Sequence, residues 1–85
     1  MDGQKFLELC IEKVVGIVNR YSISNSVSAK DVLIVWSCKT LQNNKALLGV
    51  QGSDEYYEVT YNGDKKELYV DIYSKGSQAV FKNVE

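Results

Sequence analysis

The sequence predicts an α+β domain: one N-terminal helix packed on a four- or five-stranded, mainly antiparallel β-meander. Two patterns support this fold class. Apolar residues near the N-terminus recur every three or four positions, as on one face of a helix, whereas later segments alternate between apolar and polar residues, as in strands. Because 85 residues suffice for one domain, residues 1–85 are expected to fold as a single unit.

The helix is predicted to run from about Gly3 to Tyr21. Asp2 precedes it and can accept hydrogen bonds from free backbone N–H groups, and Arg20 lies near its end, where the helix dipole favours positive charge. The residues of its apolar face are Leu7, Cys10, Ile11, Val14, Val18 and Tyr21, and Phe6, Leu9, Val15 and Ile17 widen the apolar arc. This face is expected to pack on the sheet.

The first strand is predicted at Val32–Trp36, after a polar connector at 22–28. Its residues are apolar at successive positions, which is typical of a strand buried on both faces. One helix covers only one face of a sheet. A second copy of the chain is therefore expected to cover the other, so the sequence predicts a homo-oligomer.

Three further strands are predicted, at Lys45–Gln51, Glu55–Asn62 and Glu67–Tyr73, and a short edge strand is expected at 78–82. Asn and Gly tolerate positive φ, so the Asn62-Gly63-Asp64 sequence predicts a hairpin. A two-residue turn over Gly63 and Asp64 would pair Val59 with Leu68.

Composition excludes several functional classes. Ten Lys and Arg against eleven Asp and Glu give a formal charge of −1, which disfavours general nucleic-acid binding. Histidine is absent, and with it the usual general base and the commonest metal ligand. Cys10 and Cys38 have apolar neighbours and are expected in the core, although a disulfide between them is conceivable. No cofactor or metal is expected, since two thiols are too few for zinc.

The apolar stretches are far shorter than the roughly 20 residues of a membrane span. Asp2 lies where a signal peptide would be basic. The chain is therefore expected to be cytoplasmic, without a membrane partner.

A polar segment between the first two strands is the first candidate site. It offers ammonium, hydroxyl and amide groups suited to phosphates and a base edge, and a nearby indole suited to stacking. The alternative interpretation is a solvated turn, with the indole in the core. The candidate ligand-binding residues are Trp36, Lys39, Thr40, Gln42, Asn43 and Lys45.

The second candidate site is one face of the last hairpin, rich in phenols and carboxylates. Tyrosines grouped on one side of a hairpin bury well in interfaces while keeping a polar tip accessible. This face is expected to contact the chain's own helix, a second copy or a foreign partner. Its candidate residues are Tyr56, Glu58, Tyr69, Asp71 and Tyr73.

Two longer segments, VWSCKTLQNNKALL at 35–48 and YYEVTYNGDKKE at 56–67, resemble a family of small uncharacterised phage and prophage proteins of Gram-positive bacteria. The resemblance implies a phage accessory protein in the cytoplasm of an infected bacterium, acting on host physiology or host defence. It implies no particular activity.

The expected function is non-enzymatic, because no group of residues supplies a nucleophile, a base and oxyanion donors together. The first hypothesis is counter-defence by sequestering a nucleotide immune signal in a pocket of a homo-oligomer. The alternative is inhibition of a host defence protein through the acidic, tyrosine-rich face. A structural or assembly role is the third possibility.

Overall fold

A computed structural model of the protein describes residues 1–21, 26–74 and 79–83. Within them, the elements are α1 (Gly3–Tyr21), β1 (Val32–Thr40), β2 (Asn43–Val50), β3 (Tyr56–Asn62) and β4 (Glu67–Tyr73). A short 3-10 turn at Ala29–Asp31 precedes β1, and the strands form one antiparallel sheet of order β1-β2-β3-β4. The predicted α+β class is confirmed.

Helix α1 has the predicted bounds. The Asp2 carboxylate accepts a hydrogen bond from the Lys5 N–H at 2.9 Å, and this bond lowers the pKa of Asp2. The face that packs on the sheet is centred on Phe6, Cys10 and Val14, which are all fully buried. Their spacing of four places them one above another on the helix surface, along the line where the helix meets the sheet. The partly buried residues that pack against the same core from α1 are Leu7, Ile11, Val15, Ile17 and Val18.

The core lies between α1 and one face of the sheet, here called the helix face. The two central strands supply most of it, with Ala46, Leu48 and Val50 from β2 and Tyr57 and Val59 from β3. All five are buried. A single helix is narrower than four strands, so burial is greatest at the centre of the sheet and falls towards its edges.

A bulge at Val35 changes the faces of β1. Ile34 pairs with Leu48 of β2, but Trp36 pairs with Leu47, so Val35 is an extra residue. Simple alternation would place Ile34 and Trp36 on the same face. The bulge instead moves Trp36 to the face opposite the helix, because one inserted residue reverses the side-chain alternation that follows it.

Strand β1 is an edge strand and is not buried on both faces within one chain. Val32 is buried, but the exposed fractions of Leu33, Ile34, Val35 and Trp36 are 56%, 39%, 52% and 43%. The core position considered for Trp36 is therefore wrong. The expectation that a second copy covers this strand stays a prediction.

The β3–β4 register differs from the predicted one by two residues. Val59 pairs with Val70, not with Leu68, and Tyr57 pairs with Ile72. A shift of two residues keeps every side chain on its predicted face. The expected separation of apolar from phenolic and acidic residues is thus retained.

The turn between β3 and β4 has four residues, Gly63–Lys66, instead of two. The side-chain oxygen of Asn62 accepts hydrogen bonds from the N–H groups of Asp64 and Lys65, at 3.1 and 3.2 Å. The positive φ falls at Lys66, with a value of 55°. Asn62 therefore stabilises a wider turn than the Asn-Gly pair predicts.

No strand is present in the described residues 79–83, so the edge strand predicted at 78–82 is not found there. Residue 78 lies outside the described residues, as do residues 22–25 of the predicted connector. Among the described residues, α1 is too polar to qualify as a membrane-spanning helix.

Candidate functional site

The face of the sheet opposite α1, here called the open face, holds all of the second predicted site and part of the first. No described segment packs on it, and it spans all four strands. By strand pairing and by the residues lining a depression at one end, it comprises Leu33, Val35, Trp36, Cys38, Thr40, Asn43, Lys45, Leu47, Gly49, Tyr56, Glu58, Thr60, Asn62, Glu67, Tyr69, Asp71 and Tyr73.

The two candidate lysines of the first predicted site are on opposite faces of the sheet. Lys45 is on the open face, where its ammonium group lies 3.6 Å from the Glu58 carboxylate. Lys39 pairs with Asn44 on the helix face, and its ammonium group donates to the Met1 carbonyl oxygen at 3.2 Å. In this arrangement the two cations do not converge on one phosphate.

The turn between β1 and β2 packs against the turn between β3 and β4. The Gly63 N–H donates to Oδ1 of Asn43 at 3.0 Å. A Cβ atom on Gly63 would collide with the carbonyl oxygen of Gln42. The Asn43 side chain therefore links the two turns, which accounts for part of the polar character that predicted a ligand site, whereas Gln42 lies against Gly63 through its backbone carbonyl and Cβ.

All five residues of the second predicted site lie together on the open face. Tyr56 pairs with Tyr73, and Glu58 pairs with Asp71. Tyr69 lies on the same side of β4, opposite Thr60. The chain's own helix does not cover them, because α1 packs on the other face.

Two acidic residues are neighbours on this surface. Glu58 and Asp71 are direct cross-strand partners, an arrangement in which like charges destabilise a sheet. The Tyr73 hydroxyl donates to Glu58 at 3.4 Å. Glu58 first, and then Asp71, raise the pKa of Tyr73, because a phenolate beside two carboxylates is disfavoured.

Glu67 is an acidic member of this surface that was not among the predicted residues. The Tyr69 hydroxyl donates to the Glu67 carboxylate, and this hydrogen bond raises the pKa of Tyr69. The alternation of side chains along β4 was sufficient to predict this position, because Glu67 precedes Tyr69 by two residues and so lies on the same face. The open face therefore has three carboxylates, on Glu58, Glu67 and Asp71, and one ammonium group, on Lys45.

The β1 side of the open face is apolar. Leu33, Val35 and Trp36 are exposed there beside Leu47 of β2. Gly49 leaves a shallow depression, lined by Leu33 and Val35, over which the Tyr56 ring leans. The sequence did not reveal this grouping, because the bulge that assembles it has no local signature in a run of apolar residues.

The two cysteines differ sharply, and both are free thiols. Cys10 is buried as expected, and burial raises its pKa from 9.0 to about 11. Cys38 is exposed on the open face, so its predicted core position is wrong. The described residues contain no group of three or more side chains suited to a metal ion.

We expect a thiol reagent at mildly alkaline pH to modify one cysteine per native chain, Cys38, and two after denaturation. The native Cys38→Ser variant should remain unmodified. Equal labelling of both thiols in the native chain, measured by mass spectrometry, would contradict this assignment.

The buried Cys10 thiol also predicts a dependence of stability on pH. The free energy of unfolding should fall as the pH rises from 9 towards 11, since the unfolded chain loses the Cys10 proton first.

These features define a small α+β domain with a helix on one side of a meander and, on the other, an aromatic, acidic face that no described segment covers. The chain belongs to DUF6275, a family of unknown function whose match covers residues 7–83. That span contains all four strands and so the whole open face. No curated protein and no solved structure matches the chain.

Proposed function

We propose that the protein is non-enzymatic and acts by binding a basic surface of another protein through the open face. The observation that carries this proposal is the placement of three carboxylates, three tyrosines and an exposed tryptophan on one uncovered face. Apolar and aromatic residues supply buried contact area, and charges of one sign select the partner and speed its association.

The like-charged pair at the centre of the acidic half supports a cationic partner. Glu58 and Asp71 lie side by side, and within the described residues only Lys45 forms an ion pair with either of them. An arginine or lysine placed between these carboxylates would relieve their repulsion. Binding would therefore gain free energy that the isolated chain does not have.

The biological setting we propose is phage counter-defence in the cytoplasm of an infected bacterium. It is supported by the resemblance of segments 35–48 and 56–67 to small phage and prophage proteins. A basic surface on a host defence protein, such as the nucleic-acid channel of a nuclease, matches the charge of the open face. A small binding protein inhibits such a target by occupying the channel.

A nucleotide signal is the second candidate ligand, because Trp36, Thr40 and Lys45 share the open face. The indole of Trp36 is exposed and available for stacking. The three nearby carboxylates disfavour phosphates, and this is why a basic protein is the preferred partner. Native mass spectrometry with a panel of cyclic nucleotides distinguishes a nucleotide ligand from a basic protein partner, since only a chain that binds a nucleotide retains one.

The test of the proposed function is capture of the partner by charge variants. The tagged chain is expected to capture a basic protein from a lysate of a Gram-positive host, and the Glu58→Lys/Asp71→Lys variant should bind the purified partner at least about a hundredfold more weakly. The matched control is Glu8→Lys/Glu12→Lys, which makes the same charge change on exposed positions of α1.

The control variant should bind as the unmodified chain does. Equal affinity of the purified partner for the Glu58→Lys/Asp71→Lys variant and the unmodified chain, measured by titration calorimetry, would refute binding through the open face.

A further inference from the structure

The sheet has two outer edges, and they differ in charge. The outer edges of β1 and β4 are both unpaired within the described residues. Strand β4 contains Glu67 and Asp71 and has no cation, whereas β1 contains no carboxylate and has one charged residue, Lys39, near its end. Acidic residues on an edge hinder pairing with a second copy, and β1 lacks this protection.

The β1 edge is also apolar on both faces of the sheet. Ile34 is exposed on the helix face, and Leu33, Val35 and Trp36 are exposed on the open face. The bulge at Val35 bends the strand but adds neither charge nor proline. The first five residues of this nine-residue strand, Val32–Trp36, are all apolar, and an exposed edge of this kind is a template for pairing with another strand.

We propose that two copies of the chain pair through the outer edges of β1, antiparallel and about a two-fold axis, to form one eight-stranded sheet. A second copy fits this edge because the pairing brings no carboxylates together, whereas the same pairing at β4 would place Glu67 and Asp71 of both copies at the junction. A two-fold axis satisfies the same unpaired backbone groups on both chains at once.

The dimer makes the two open faces continuous. The apolar residues Leu33, Val35 and Trp36 of both copies lie at its centre, and the acidic tyrosine-rich halves lie at its two ends. This is the arrangement of a protein interface, with an apolar core and a polar rim. The pairing of the two chains does not depend on the proposed function. If the open face binds a basic partner, the continuous face of the dimer binds a partner with two basic regions.

Two isoleucines offer a matched test. Ile34 of β1 and Ile72 of β4 lie at opposite ends of one cross-strand row on the helix face, and 39% and 47% of their surfaces are exposed. In sedimentation velocity, we expect the unmodified chain and Ile72→Lys to be dimers and Ile34→Lys to be a monomer. Circular dichroism confirms that each variant is folded.

A second substitution, Val35→Lys, tests the same edge from the open face without altering the packing of α1, and it should also give a monomer. The proposal is overturned by a monomeric unmodified chain, by a dimer that survives both β1 substitutions, or by a dimer lost in Ile72→Lys. None of these measurements requires the binding partner, so failure of the dimer and failure of the proposed function are distinguishable.

Discussion

Replacing Leu48 by alanine is expected to destabilise the protein by about 2–5 kcal/mol, the usual range for removing a buried leucine side chain. Leu48 is fully buried on β2, between the strands on either side and beneath α1. A domain of this size has a free energy of unfolding of roughly 5–15 kcal/mol, so this change removes a large part of it. Chemical denaturation monitored by circular dichroism measures the effect.

The control for Leu48→Ala is Leu41→Ala. Leu41 lies in the turn between β1 and β2, with 86% of its surface exposed. The same atoms are removed in both variants, but only Leu48 leaves a cavity. A loss of stability in Leu41→Ala equal to that in Leu48→Ala would show that the core is not where the structure places it.

Replacing Gly63 by alanine is expected to destabilise the protein by about 1–3 kcal/mol, because it forces two turns apart. The new Cβ would collide with the Gln42 carbonyl oxygen and would lie 2.6 Å from the Gln42 Cβ. Both contacts are far inside van der Waals separation, and the first is to backbone, which cannot rotate away. The Asn43–Gly63 hydrogen bond should be lost as the turns separate.

Gly16→Ala is the matched control, and we expect the opposite sign. Gly16 is exposed in the interior of α1, with no heavy atom within 4 Å of the position of a Cβ. Alanine is favoured over glycine in a helix by roughly 0.5–1 kcal/mol. Thermal melts should show a lower Tm for Gly63→Ala and a higher Tm for Gly16→Ala, and a stabilised Gly63→Ala would contradict the contact between the turns.

The sequence predicted the bounds of the helix and strands better than it predicted how the strands pair. The bounds of α1 followed from its apolar period and from the Asp2 cap, and those of β4 followed from clean alternation. The β3–β4 register did not, because the Asn62 side chain stabilises a four-residue turn that a two-residue Asn-Gly pattern does not anticipate. Side-chain hydrogen bonds of this kind depend on geometry that composition leaves open.

The candidate site shows the same difference between what local pattern predicts and what strand pairing decides. Alternation correctly grouped Tyr56, Glu58 and Asp71 on one face, but it did not place Trp36 beside them. That placement depends on the Val35 bulge and on the order of the strands, and both are properties of the assembled sheet. Local pattern therefore identified the residues, whereas tertiary pairing decided which of them share a surface.

The most direct test of binding through the open face is nuclear magnetic resonance of the labelled chain titrated with the captured, purified partner. We predict that the largest changes in amide signals fall on open-face residues such as Leu47, Glu58 and Asp71, and that the signals of Glu8 and Glu12 on α1 stay in place. Changes concentrated on α1, with the open face unaffected, would contradict the proposed binding surface.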